Sequence, residues 1–134
     1  MLTCASSLTP MAHIVHLMAK KGNKLNEEKA YSYRRLIHRL IYLTNTHPDM
    51  SFSGNHLSQF IFTPTSDHYQ VVMHVLKYVK ASLGVGIFLH SNNTIQLKAY
   101  SDSDWAICPE TRKSIIGFCV YLGNTIISWK SKKQ

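Results

Sequence analysis

Leu97-Lys98-Ala99-Tyr100-Ser101-Asp102-Ser103-Asp104-Trp105 is the stretch on which the reading of this chain turns. It reads as a strand ending in two closely spaced carboxylates, in a chain with only seven acidic residues. Side chains two apart on a strand share a face, so Asp102 and Asp104 point into one cation site provided the strand persists through Ser103. An oxygen-only site of that kind suits Mg²⁺ or Mn²⁺.

Working outward, the pattern stays strand-like on both sides. Upstream, Ile87 to His90 and Ile95 to Asp102 read as two strands joined by the polar turn Ser91-Asn92-Asn93-Thr94, with Ile95, Leu97 and Ala99 on one face. Downstream, a polar loop from Ser103 to Lys113 leads into a basic hairpin. Its strands are Ile115 to Leu122 and Thr125 to Lys132, turned at Gly123-Asn124, where both residue types tolerate positive φ.

Before Gly86 the period is helical. Asn26 is a cap for a helix whose first turn carries Glu27 and Glu28, matched to the positive end of the dipole. Tyr33, Leu36, Ile37, Leu40 and Ile41 fill the core-facing template, predicting a helix to about Asn45. Its other face presents Arg34, Arg35, His38 and Arg39, either a solvated surface or a grip on phosphates. Pro48 breaks that helix and suits the first position of the next, with His47 pushed out of helical conformation. Met50, Leu57, Phe60 and Ile61 line one side of this second helix, with Ser53 and Gly54 in its middle. Ser66 is the expected cap of a third helix, with the stripe Tyr69, Val72, Met73, Leu76, Val79 and Leu83, stopping at Gly84. Residues 1–26 carry little periodicity and are expected to be poorly structured. Lys20, Lys21 and Lys24 belong to a solvated linker, and His13 and His16 lack further donors for a metal.

Composition narrows the function. The net charge of +8 favours a polyanionic partner such as nucleic acid. Cys4, Cys108 and Cys119 are an odd set without Cys-x-x-Cys spacing, which argues against a disulfide framework or structural zinc and for reduced thiols of an intracellular protein. No apolar run has membrane-spanning length, and the N-terminus lacks the features of a signal peptide.

Several runs carry a resemblance. Tyr100-Ser-Asp-Ser-Asp-Trp-Ala106, Cys108-Pro-Glu-Thr-Arg-Lys-Ser114, Gly117-Phe-Cys-Val-Tyr-Leu-Gly123 and Ile127-Ser-Trp-Lys-Ser-Lys-Lys-Gln134 resemble the start of the ribonuclease H domain of copia-type retrotransposon polyproteins. Tyr33-Arg-Arg-Leu-Ile37, Leu40-Ile-Tyr-Leu-Thr44, His47-Pro-Asp-Met-Ser-Phe52, Leu57-Ser-Gln-Phe60 and Leu76-Lys-Tyr-Val-Lys80 resemble the segment joining reverse transcriptase to ribonuclease H in the same polyprotein. The resemblance covers nearly everything after Lys29.

It implies an α+β fold, with about three helices followed by an antiparallel β-meander like the first strands of a truncated ribonuclease H-like domain. The implied organisation is a loose segment at 1–26, a helical connection-like segment at 27–86 and the meander at 87–134. Ribonuclease H chemistry uses two divalent ions about 4 Å apart, held by carboxylates from several elements. Asp102 matches the aspartate of the family's first strand; a glutamate from a following helix and an aspartate from a later strand are expected beyond Gln134. Asp102 is therefore expected to be a vestigial catalytic residue, with Asp102 and Asp104 a weak metal pair. No cofactor is expected in isolation, although the intact family enzyme would use Mg²⁺ or Mn²⁺.

There is no Tyr-x-Asp-Asp turn of the polymerase kind. His38 stands where the family commonly has glycine, His47 where arginine is usual, Ile107 where glycine follows Trp-Ala, and Gly54 where a larger apolar residue is usual, which suggests weakened packing. The expected function is a polyprotein remnant without autonomous catalysis. The alternatives are a non-specific nucleic-acid-binding module using Arg34, Arg35, Arg39, Lys130, Lys132 and Lys133, or part of an RNA–DNA hybrid nuclease completed by another chain. An uncovered sheet edge is expected to permit self-association, and Trp105 and Trp129 are expected to anchor the core rather than stack bases.

Overall fold

Residues 7–11, 17, 22–105 and 111–134 are described in the computed structural model. The chain forms α1 (Glu27–Leu43), a 3₁₀ turn (Pro48–Met50) running into α2 (Ser51–Ser58), and α3 (Ser66–Ala81), followed by β1 (Leu97–Asp104), β2 (Ile115–Leu122) and β3 (Thr125–Lys133). The fold class is α+β, as expected. The His13/His16 pair, Lys20 and Lys21 of the linker, Cys4, Cys108, Ile107 and Glu110 lie outside the described residues.

Local signals place the helix starts. The Asn26 side chain accepts the Lys29 amide at 3.0 Å, capping α1. At its other end the Thr44 amide and hydroxyl fold back onto carbonyls of the last turn, ending the helix at Leu43, slightly short of the expected limit. Thr65 rather than Ser66 caps α3, and its amide donates to Nδ1 of His68 at 3.0 Å. A histidine thereby takes the place usually held by glutamate in a capping box.

The core sits among the helices. Tyr33, Ile37 and Leu40 of α1 meet Met50 and Leu57, Phe60 just beyond α2, and Val72 and Val75 of α3, all buried. Met11 and Leu17 pack with this cluster from the stretch expected to be loose. Of the expected α3 stripe, Val72 is buried and Tyr69, Leu76 and Val79 pack half-buried against the core; His68 and Val75 are fully buried as well, while Leu83 lies past the end of the helix and is exposed. Gly54 also departs from its reading. A Cβ there would lie 3.2 Å from Thr44 Cγ2, so glycine permits close approach of α2 to the end of α1 rather than marking loose packing.

The sheet is antiparallel with order β1-β2-β3, leaving β1 and β3 as its two edges. Gly123, at φ +58, makes the β2–β3 turn as its sequence predicts. A bulge interrupts the register, with Val120 opposite Ser128 and Tyr121 opposite Ile126, so that Ile127 is the extra residue. The expected strand Ile87 to His90 is not formed. The Phe88 carbonyl of this segment accepts the Thr125 hydroxyl at 3.4 Å, and in the turn that follows, Asn93 donates to the Leu122 carbonyl and accepts the Asn124 amide, clamping the hairpin turn. Crossing the end of the hairpin, it makes no backbone ladder.

Pairing of Tyr100 with Cys119, and of Cys119 with Trp129, sets these on one face. That face looks toward the helices, because Trp129 Nε1 donates to the Thr44 carbonyl at 2.8 Å. Trp129 thus ties the sheet to the helical part as expected. Trp105 does not: at 88% exposure it is in water, beyond the reach of α2, which packs on β3 at the opposite side of the sheet. No helix among the described residues is long and apolar enough to cross a membrane.

Candidate functional site

Strand β1 runs through Ser103 to Asp104, meeting the condition for Asp102 and Asp104 to share a face. By alternation that face also carries Lys98 and Tyr100, and it is the helix-facing one. Asp102 borders an open cleft of about 300 Å³ between the sheet and the start of α2, walled by Pro48, Asp49, Phe52, Tyr100 and Cys119. All eight residues of β1 are nevertheless exposed, since α2 packs mainly on β3, at the other side of the sheet.

The donor set does not fit a resident dication. Carboxylates two positions apart on a strand are separated by about 7 Å along its axis. One Asp102 oxygen already accepts the Ser103 amide at 2.9 Å. Among the described residues no three His, Cys, Asp or Glu side chains are placed to hold one metal ion. A dication that keeps its water shell unless several anionic ligands replace it would gain little from this pair.

Asp49 is the acid that sequence reading passed over. Its carboxylate accepts the Tyr78 hydroxyl at 2.5 Å, and that bond, with desolvation and the nearby negative charge, holds the Tyr78 phenol above its ordinary pKa. His47-Pro48-Asp49 read as a helix start; the return of α3 brings Tyr78 to Asp49, and the packing of the sheet makes Asp49 a wall of the cleft.

The basic residues fall on two elements. On α1, Arg35 and Arg39 are exposed and Arg34 is half-buried, with the Arg35 guanidinium 5.7 Å from the centre of the Tyr31 ring. On β3, Lys130 and Lys132 share the sheet face turned away from the helices. Lys133 has the opposite orientation, and its Nζ donates to the Gln59 side chain at 3.1 Å. The structure therefore separates Lys133 from its two neighbours.

A further group of side chains lies where α2 meets α3 and β3. Phe52, His56, Phe60 and His68 make a run of ring contacts, ending in Phe60 stacked on His68 at 4.0 Å. Nδ1 of His56 is buried without a hydrogen-bond partner. Burial first, then the positive charge of Lys133 and the proximity of His68, push the His56 pKa below its ordinary value.

An exposed strand carrying Asp102 and Asp104 thus lies on a three-stranded antiparallel meander joined to a helical cluster, without a complete carboxylate cage among the described residues. The chain is 43% identical over all 134 residues to the Retrovirus-related Pol polyprotein from transposon RE2 of Arabidopsis thaliana, covering 9% of that protein. It is 30% identical over 131 residues to that from transposon TNT 1-94 of Nicotiana tabacum, across 94% of the chain and 10% of the relative. It is also 49% identical over 79 residues to an uncharacterized mitochondrial protein of Arabidopsis thaliana, across 59% of the chain and 71% of that relative. The chain belongs to the copia-type retrotransposon Pol polyprotein family. It spans about a tenth of the length of the Pol relatives. No protein-family model matches it. No solved structure matches it either.

Proposed function

We propose that this chain is a retrotransposon Pol remnant, spanning the connection between reverse transcriptase and ribonuclease H and the opening strands of the latter, without autonomous catalysis. The observation carrying this reading is the state of Asp102. It stands at the motif position of a first-strand catalytic aspartate, yet faces an open cleft with no third ligand among the described residues. Two-metal hydrolysis needs several converging carboxylates to balance two dications. The other acids among the described residues support the same reading: Glu27 and Glu28 serve the first turn of α1, Asp67 lies in the first turn of α3, and Asp49 is held by Tyr78.

The test is incubation of the purified chain with an RNA–DNA hybrid in Mg²⁺ or Mn²⁺. No cleavage above a protein-free control is expected. Turnover that disappears in Asp102→Asn would overturn the proposal.

A second reading, non-specific nucleic-acid binding, is favoured by the exposure of Arg35, Arg39, Lys130 and Lys132 on a chain of net charge +8. Phosphate contacts release counterions, so affinity should fall steeply between low and physiological salt. The combined Arg35→Ala, Arg39→Ala, Lys130→Ala, Lys132→Ala variant should flatten that slope. Absence of binding at low salt removes this reading.

A further inference from the structure

We infer that His56 is an acid-operated latch between α2 and β3: with a neutral imidazole the sheet stays docked on the helices, and with a protonated one the sheet is released while the helical core holds. The inference goes beyond the function proposed above and does not depend on it. The latch is made of contacts formed inside the chain.

Spacing along α2 builds it. Phe52, His56 and Phe60 stand four residues apart, so their side chains follow one stripe. The imidazole lies parallel to the Phe52 ring at 5.6 Å and edge-on to Phe60 at 5.8 Å. Its Nδ1 is buried and has no hydrogen-bond partner. A neutral ring leaves one lone pair unused there. A protonated ring puts an N–H and a positive charge at a point that offers neither acceptor nor water, which is the costlier state.

The groups that face the imidazole do not offset that charge. From β3 comes the Lys133 ammonium, fixed in place by its donation to the Gln59 side chain at 3.1 Å. From α3 comes His68, whose Nδ1 accepts the Thr65 amide. On the side of α1 that meets α2 the titratable group is Tyr33, and its hydroxyl is engaged by the Leu57 carbonyl. Asp49, in the turn before α2, is engaged by Tyr78. The depressed pKa of His56 agrees with this arrangement: burial lowers it first, then Lys133, then His68.

Relief of the charged state lies on the sheet side. Met50 and Leu57 join α2 to Tyr33, Ile37 and Val72 in the buried apolar cluster, and parting those surfaces would expose the core. The ties to β3 include two hydrogen bonds that water can replace, Trp129 Nε1 to the Thr44 carbonyl and Lys133 to Gln59. Movement of β3 away from α2 carries Lys133 off and admits water to Nδ1. Acid therefore opens this junction before the helical core.

Amide exchange followed by NMR on the full chain tests this, with each rate expressed as protection relative to an unstructured chain so that the pH dependence of exchange itself cancels. From about pH 7.5 to about pH 5.5, across the ordinary histidine pKa, protection in β2 and β3 should fall. The expected loss is about fivefold or more, the factor that one unmade buried hydrogen bond is worth, while protection at Ile37, Leu40 and Val72 holds. The His56 Cε1–H resonance and the Trp129 indole N–H, which reports the bond to Thr44, should titrate with one midpoint. His56→Phe should keep β2 and β3 protected at both pH values. Lys133→Met, by removing the facing charge, should lessen the acid-induced loss. Equal loss in sheet and helices, loss confined to the first turn of α3 where His68 caps, or an unchanged acid response in His56→Phe overturns the proposal. Separate midpoints for His56 and Trp129 in the natural chain overturn it as well, whether or not the variants fold.

Discussion

His56 is a residue that stabilises only while it is neutral. Its ring stacks on Phe52 at 5.6 Å, its Nδ1 has no partner, and Lys133 and His68 are the positive or protonatable groups that face it. Because the folded pKa lies below the unfolded one, the unfolded chain takes up the proton first. Stability is therefore intact above about pH 6.5 and declines as pH falls through the unfolded pKa toward the folded one. His56→Phe keeps the stack and removes the titration, so its melting temperature should exceed that of the natural chain at pH 5.5 by more than at pH 8. An equal difference at both pH values would contradict this account. Tyr33 differs because its role is fixed: fully buried, its hydroxyl donates to the Leu57 carbonyl at 2.8 Å, and burial raises its phenol pKa far above the working range. Tyr33→Phe should cost about 1 kcal/mol in denaturant unfolding, the net worth of one buried hydrogen bond.

Elements show why reading their residues singly falls short. α2 has little amphipathic pattern, and Gly54 looked like a defect in it because glycine lowers helix stability by about 1 kcal/mol against alanine. The structure brings Thr44 against that position, so Gly54→Leu gains helix propensity but overpacks the α1–α2 contact at a cost of about 1–3 kcal/mol. Net destabilisation by denaturant titration is expected, and a more stable variant would disprove the close approach. The helix starts and the β2–β3 turn were legible because a cap or a glycine turn depends on residues within one turn of chain. The burial of His68 and Val75 on α3 and the fate of 87–90 were not. Both depend on contacts with elements distant in sequence, α1 and α2 in the first case and the hairpin in the second.

At the scale of the molecule, the sheet joins the helical core mainly along β3. Trp129 to Thr44 and Lys133 to Gln59 are side-chain hydrogen bonds that cross this junction. Trp129→Phe removes the first while retaining apolar bulk. Amides of β2 and β3 should then exchange with solvent faster, while those at Tyr33, Ile37 and Val72 keep their protection. Uniform acceleration throughout would instead mean one cooperative unit. The three helices and the three strands that form, in their order, the capping of α1, the Gly123 turn and the placing of Asp102 and Asp104 on one face are inherent in the chain, because periodicity and short-range chemistry encode them. Tertiary structure alone decided that α2 covers β3 and not β1, that Trp129 is an anchor while Trp105 stands in water, and that Asp102 borders an open cleft with Asp49. Those outcomes follow from which surfaces meet when distant segments pack, and burial of one apolar face against another is decided between elements, not within them.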